Sequence, residues 1–217
     1  MKDFALIFDM DGVIVDSNPV HALAWRAYLE PFGLTMDNLA SRMYGRHNDE
    51  LVREIFGGGL SDEEVRAHGA AKEALYREFM RPQLGERLAP GLVEFLEKRR
   101  GVPMAVATNA EPLNVSFVMG EAGLADRFAA VVDGHQVERP KPHPDVFLRA
   151  AEMLKVPPAN CIIFEDSYAG MMAARAAGAR VIGVTTTHAE LPDADFCIRD
   201  FCDPELDRWL SLQRRFH

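Results

Sequence analysis
The sequence predicts an α/β fold: a doubly wound parallel sheet with a small α-helical domain inserted after its first strand. Short apolar runs at residues 4–8, 104–107, 130–132, 161–164 and 181–185, and a weaker one at 196–198, read as strands. Helical patterns at 91–100, 112–122, 144–155 and 168–177 separate most of them, and that alternation builds a parallel sheet with helices on both faces. Residues 18–85 break the rhythm, with helix signals and no convincing strand.

The first strand, FALIF at 4–8, is continuously apolar, as a strand buried on both faces must be. It runs into Asp9, Met10, Asp11 and Gly12. The chain then leaves the sheet near 15–17 and returns near 84–88. The expected domains are therefore a core of 1–16 and 86–217 and a helical insertion at 17–85. Inside the insertion, Asn18 is a candidate cap with Pro19 at the first helical position. Ser61 followed by Glu64 has the spacing of a capping box and opens a helix that runs to about Met80. Gly57, Gly58 and Gly59 lack a preceding strand and the G-x-x-x-x-G-K pattern, so they read as a helix-ending turn and not as a phosphate loop.

Composition narrows the function. Hydrophobic residues make up 48% of the 217, enough for a sizeable core. Against 33 Asp+Glu stand 24 Lys+Arg, a formal net charge of -9, which disfavours a nucleic-acid or anionic-membrane surface. Cys161, Cys197 and Cys202 form neither a metal spacing nor an even disulfide framework. Residues 4–8 are too short for the apolar core of a signal segment, and no apolar run is long enough for a membrane span. The expectation is a cytoplasmic protein, a monomer or small homo-oligomer, with no nucleic-acid or membrane partner.

Ligands of parallel sheets bind beyond the carboxyl ends of the strands. There the chain places Asp9 and Asp11 after the first strand, Thr108 and Asn109 after the second, and Glu165 and Asp166 after the fourth; Lys141 stands between prolines in RPKPHP. Each has a structural alternative. Asp-Gly is a common turn, Thr suits strands, Asp166 or Ser167 can cap the next helix, and Lys141 can be a surface charge. Their shared edge favours chemistry. Two carboxylates about 4 Å apart repel by roughly 4 kcal/mol at an effective dielectric of about 20. A divalent cation removes that repulsion, and an all-oxygen set without His or Cys suits Mg²⁺ better than zinc. Cation and Lys141 together make a pocket for a phosphate dianion. Asp9 is then the nucleophile and Asp11 the general acid and base, with Thr108 and Asn109 holding phosphate oxygens.

These stretches resemble the four motifs of the haloacid dehalogenase superfamily. DMDG resembles the first, VATNA the second, Lys141 in RPKPHPDVF the third and FEDSYAG the fourth, in the right order over nearly the whole chain. The resemblance implies a Rossmann-like core. The insertion is similar to the helical cap of the β-phosphoglucomutase and phosphoglycolate-phosphatase-like branch. Carried over, it implies Asp9 as nucleophile and Asp11 as acid/base. The Asp9 side chain, the Asp11 carbonyl and Asp166 would be metal ligands, with Glu165 in or next to the shell. The presence of Asp11 disfavours the dehalogenases, which lack that second aspartate, and the phosphonate-cleaving branch fits less well.

Cap residues carry the substrate expectations. VHALAW resembles a stretch with a histidine near the acid/base, which makes His21 a substrate candidate; it also lies on a helical stripe with Trp25, Tyr28 and Phe32, as a packing residue would. Arg46, Asn48 and Lys72 are further candidates. Asn48 stands where the mutase has an arginine that grips the far phosphate, a departure that counts against mutase activity. Lys72 resembles a substrate-contacting cap lysine, and its alternative is a solvated helix charge. The expected function is a Mg²⁺-dependent phosphatase of a small phosphorylated metabolite, a sugar or polyol phosphate, working through an aspartyl-phosphate. A phosphohexomutase and a non-enzymatic receiver-type phosphoacceptor are the alternatives.

Overall fold
The computed structural model describes residues 4–35 and 48–213. The chain forms two compact units, Met1–Asp16 with Arg87–His217, and Ser17–Glu86.

The first unit is a six-stranded sheet. Its strands are β1 (Ala5–Phe8), β2 (Met104–Ala107), β3 (Ala130–Val132), β4 (Cys161–Glu165), β5 (Arg180–Val184) and β6 (Phe196–Ile198), in the order β3-β2-β1-β4-β5-β6 with every pairing parallel. The doubly wound fold expected from the strand–helix alternation is the fold observed. β1 lies centrally, with Phe8 opposite both Val106 and Phe164. The residues that follow β1, β2 and β4 therefore emerge side by side.

Both faces of the sheet's central strands β1, β2 and β4 are buried, and alternation divides the work. One face carries Ala5, Ala105 and Ala107 around Ile7, and these small alanines let the helices at Asp145–Leu154 and Tyr168–Ala176 pack closely through Val146, Phe147, Met171 and Ala174. The other face is aromatic. Phe8 and Phe164 stack with centroids 4.7 Å apart, and Phe95 meets Phe164 edge-on at 5.5 Å. Burying each such ring is worth roughly 1.5–3 kcal/mol. The departing and returning chain passages are tied together, since Asp16 N donates to Arg87 O at 2.8 Å and Ala89 N to Ile14 O at 3.0 Å.

The second unit contains α1 (Asn18–Leu29), α2 (Asn48–Phe56) and α3 (Asp62–Met80). Trp25, Leu29, Leu51, Val52 and Val65 form its core. The capping box at Ser61 is present: Glu64 N donates to Ser61 Oγ, and Ser61 N donates to Glu64 Oε2 at 2.8 Å. α2 ends at Phe56, and Gly57 follows with φ of 93°, the turn expected of the glycine run. One detail differs. The cap position of α1 falls on Ser17, one residue before Asn18, and makes no side-chain cap bond. Ser17 already has helical φ/ψ, whereas a capping hydroxyl needs an extended backbone to reach the free N–H groups. No described helix is long and apolar enough to cross a membrane.

Candidate active site
β1 ends at Phe8, and Asp9 N donates to Phe164 O at 3.0 Å, which continues the β1–β4 ladder into the site. After Asp9 the chain turns tightly: Ile14 N and Val15 N both donate to Met10 O. Gly12 makes that turn possible. Its φ is +78°, and a Cβ there would sit 1.8 Å from Asp166 Oδ2. The Asp-Gly pair thus serves both turn and site, for only glycine leaves room for the carboxylate behind it.

Asp9, Glu165 and Asp166 are buried and offer carboxylate oxygens that all lie within 4.8 Å of one another. Lys141, itself buried, places Nζ 2.9 Å from Asp9 Oδ1 and 2.8 Å from Glu165 Oε2. The Asp9 contact has ion-pair distance but not hydrogen-bond direction, which leaves Oδ1 without a hydrogen-bond donor. One ammonium cannot balance three carboxylates. Burial first, then Glu165 and Asp11, push the Asp9 carboxyl up to about 7 in spite of Lys141. Asp166 is pushed well above the usual carboxylate range by burial, then by Glu165 and Asp9. Burial works against the Lys141 charge, but Asp9 and then Glu165 outweigh it and raise the ammonium above its ordinary value. An oxygen-only, over-charged, buried cluster fits a divalent cation. Among the described residues the Asp11 carboxylate is not part of this set.

The surrounding contacts distribute the smaller tasks. Ser167 caps the helix at Tyr168–Ala176, accepting from Gly170 N at 3.1 Å, so Asp166 is not needed as the cap. Ser167 Oγ also donates to Glu165 Oε1 at 2.7 Å. With Lys141 on its other oxygen, Glu165 is held at both ends. Thr108, buried at the end of β2, accepts from Ala110 N at 3.1 Å. Asn109 Oδ1 accepts from Lys141 N at 3.2 Å and so fastens the lysine's loop.

The family profile described as haloacid dehalogenase-like hydrolase matches residues 5–178, most of the chain and all of the residues just described. The chain belongs to this family. It is 36% identical over 182 residues to the fructose-1-phosphate phosphatase YqaB of Escherichia coli, covering 82% of this chain and 95% of that one. It is 32% identical over 213 residues to the β-phosphoglucomutase of Bacillus subtilis, covering 94% and 92%. The crystal structure of β-phosphoglucomutase from Clostridium difficile superposes with a TM-score of 0.85 at 26% identity, over 99% of this chain and 97% of that one.

In this hydrolase the substrate candidates of the helical unit gather around one ion pair. Lys72 Nζ lies 2.9 Å from His21 Nδ1 and donates to Glu73 Oε1 at 2.7 Å. Asn48 Nδ2 donates to the same Glu73 oxygen. The alternative of a solvated helix charge fails for Lys72, which is 2% exposed. On the expected packing stripe, Trp25 is buried while Phe32 is half exposed, beyond the end of α1; His21 stacks on Tyr76 at 3.8 Å. Arg46 lies outside the described residues.

Sequence reasoning missed two residues. Thr187 hydroxyl donates to Asp166 Oδ2. It follows β5, whose end lies at the same sheet edge, and that placement was the available signal. Glu73 gave no such signal, because its neighbours come from three separate helices.

Proposed function
We propose that the chain is a Mg²⁺-dependent phosphatase of a small phosphorylated sugar or polyol, with Asp9 as its nucleophile. The observation that carries the proposal is the convergence of Asp9, Glu165 and Asp166 within 4.8 Å, with Lys141 against Asp9. The fructose-1-phosphate phosphatase among the relatives supports the substrate class.

Asp9, Asp166 and the Asp11 carbonyl would hold the cation, with Glu165 beside them. Bound Mg²⁺ would supply positive charge to the phosphoryl oxygens and offset the carboxylate repulsion. An Asp9 oxygen attacks phosphorus while the bond to the leaving alkoxide breaks, and Asp11 gives that alkoxide its proton. Asp11, now a base, takes a proton from water as the water attacks the aspartyl-phosphate, releasing inorganic phosphate and restoring Asp9. Lys141 balances the phosphoryl charge, and the Thr108 hydroxyl and the Asn109 side chain bind its oxygens. Asn109 accepts from the Lys141 backbone through Oδ1, which leaves its NH₂ group as the phosphate donor.

Phosphomutase activity is the second reading, favoured by the 32% identity to a β-phosphoglucomutase. Against it we read Asn48, aligned by its sequence motif with the mutase arginine, as a residue that carries no charge for a second phosphate; its side chain donates to Glu73. Incubation with β-glucose 1-phosphate separates the two. Free phosphate, dependent on Mg²⁺ and lost in Asp9→Asn, is the expected product. Accumulation of glucose 6-phosphate makes the chain a mutase, and full activity of Asp9→Asn refutes the covalent route.

A further inference from the structure
Phosphoryl transfer uses Asn109 and Lys141 but leaves unexplained the stretch of chain that precedes Lys141. β2 and β3 end at Ala107 and Val132, yet their pairing continues. Thr108 N donates to Val132 O at 3.0 Å, and Gly134 N donates to Ala110 O at 3.3 Å. The chain after β3 thus runs alongside Thr108, Asn109 and Ala110 before it reaches Lys141, whose backbone N donates to Asn109 Oδ1 at 3.2 Å.

Two residues of that stretch shape it. Asp133 is buried, and both of its carboxylate oxygens are used locally: Oδ1 accepts from His135 N at 2.9 Å and Oδ2 from Gln136 Nε2 at 2.7 Å. Its carbonyl accepts from Gln136 N at 3.1 Å. These bonds close a turn, as aspartate side chains commonly do. Inside the turn sits Gly134. Its φ is not left-handed, so conformation does not demand glycine there. Proximity does. A Cβ would lie 2.8 Å from Asn109 O and 3.2 Å from Asn109 C. Those are backbone atoms, which cannot swing aside as the end of a side chain can.

We propose that Asp133 and Gly134 are positioning residues for the phosphate: the turn that Asp133 closes seats Gly134 against the Asn109 backbone, and together with the Lys141 N–H on Oδ1 this holds the Asn109 NH₂ group in place for a phosphoryl oxygen. This rests on the phosphatase reading, in which that NH₂ group binds the phosphate. Asn109 is gripped at two points, its backbone by Gly134 and its side chain by Lys141, and both belong to the stretch 133–141. A donor fixed in advance loses little freedom when the anion arrives and needs no reorganisation. An added methyl at 134 pushes the Asn109 backbone away and takes the donor out of line. The carboxylates of Asp9, Glu165 and Asp166 come from the ends of β1 and β4 and keep their places.

The test is a double-mutant cycle on the affinity for inorganic phosphate, titrated calorimetrically into the full chain in saturating Mg²⁺. Gly134→Ala is expected to raise the dissociation constant about tenfold, the effect of losing one hydrogen bond to a charged group. In an Asn109→Ala background, where the donor is already gone, the same change is expected to raise it by less than about twofold. Asp133→Ala should follow the same pattern, and Asp133→Asn, which keeps an acceptor for His135 N, should return the affinity to within about threefold of the parent. Mg²⁺ affinity, titrated without phosphate, is expected to stay within about twofold of the parent in every variant of 133 and 134. A merely structural role weakens Mg²⁺ along with phosphate, or weakens phosphate by the same factor with and without the Asn109 side chain. Either result overturns the proposal, as does parent-like phosphate affinity in Gly134→Ala and Asp133→Ala. Should Gly134→Ala not fold, the Asp133→Ala cycle decides alone. A parent that binds no phosphate refutes the phosphatase reading and this proposal together, whereas a parent that binds it and variants that bind it equally well refute this proposal only.

Discussion
Lys141 Nζ lies 2.8 Å from Glu165 Oε2 and 2.9 Å from Asp9 Oδ1, with all three side chains buried. Among the described residues the lysine is the cation that pairs with this cluster of three carboxylates, through two of them. Lys141→Met should lower turnover by on the order of 10²- to 10³-fold, the usual effect of removing one donor aimed at transition-state charge. In EDTA it should also lose stability by about 3–5 kcal/mol, because buried carboxylates are left without their partner. Steady-state kinetics and urea unfolding check the two effects. Parent-like values in both would remove Lys141 from the electrostatics of the site.

The same crowding predicts that a divalent cation binds the folded protein and stabilises it. At a Mg²⁺ concentration about 100-fold above its dissociation constant, binding stabilises by about 2.7 kcal/mol. For a chain of this size that raises the melting temperature by roughly 5–10 °C. Asp166→Asn should abolish most of the rise, whereas changes to Glu165 should act through Lys141 as well. Differential scanning calorimetry with Mg²⁺ against EDTA measures it. An equal rise in Asp166→Asn would exclude this cluster as the binding site.

The sheet was legible because its signals are local and strong. The β1 run is apolar throughout, and the helical patterns between strands leave few ways to order a parallel sheet. Once the fold is parallel, the ends of β1, β2 and β4 must share an edge, so Asp9, Thr108, Glu165 and Asp166 could be grouped as candidates without knowing a distance. The missing parts depend on side-chain direction. Nothing in the order of residues says that Asn109 Oδ1 faces the Lys141 backbone, or that Thr187 reaches Asp166. Glu73 was hidden for the same reason. A Lys-Glu pair on a helix normally means solvent, and only tertiary packing turns it inward.

Gly170 tests how tightly the fourth motif is built. A Cβ there would come 1.9 Å from Glu165 Cδ, a side chain fixed by Ser167 on one oxygen and Lys141 on the other. Gly170→Ala must therefore displace Glu165 or shift its helix. The expected result is destabilisation of about 1–3 kcal/mol, typical of overpacking, together with lower turnover. A higher helix propensity at this position would act in the opposite direction by roughly 1 kcal/mol, so a net gain in stability would mean that Glu165 moves at little cost.

Glu73 predicts a specific acid sensitivity. Burial alone would raise its carboxyl, but Lys72, then His21 and the Asn48 hydrogen bond, outweigh it and hold the group at about 2. The folded value lies below the ordinary one, so the contribution to stability is complete above about pH 4.5 and is lost as pH falls toward 2. In that window the unfolded chain carries a proton at this position and the folded chain does not, and stability therefore rises with pH. The whole step is on the order of 3 kcal/mol. Other carboxylates titrate in the same range, and the difference between the parent and Glu73→Gln isolates this one. A Trp209→Phe background leaves Trp25, in the core of the helical unit, as the single tryptophan reporter of urea unfolding. At pH 7 Glu73→Gln should be less stable than its parent by about 3 kcal/mol, since it strands the Lys72 ammonium, and the gap should narrow as the pH is lowered from 4.5. A gap that does not change between pH 4.5 and 2 would mean that the folded protein does not hold Glu73 ionised below its ordinary range.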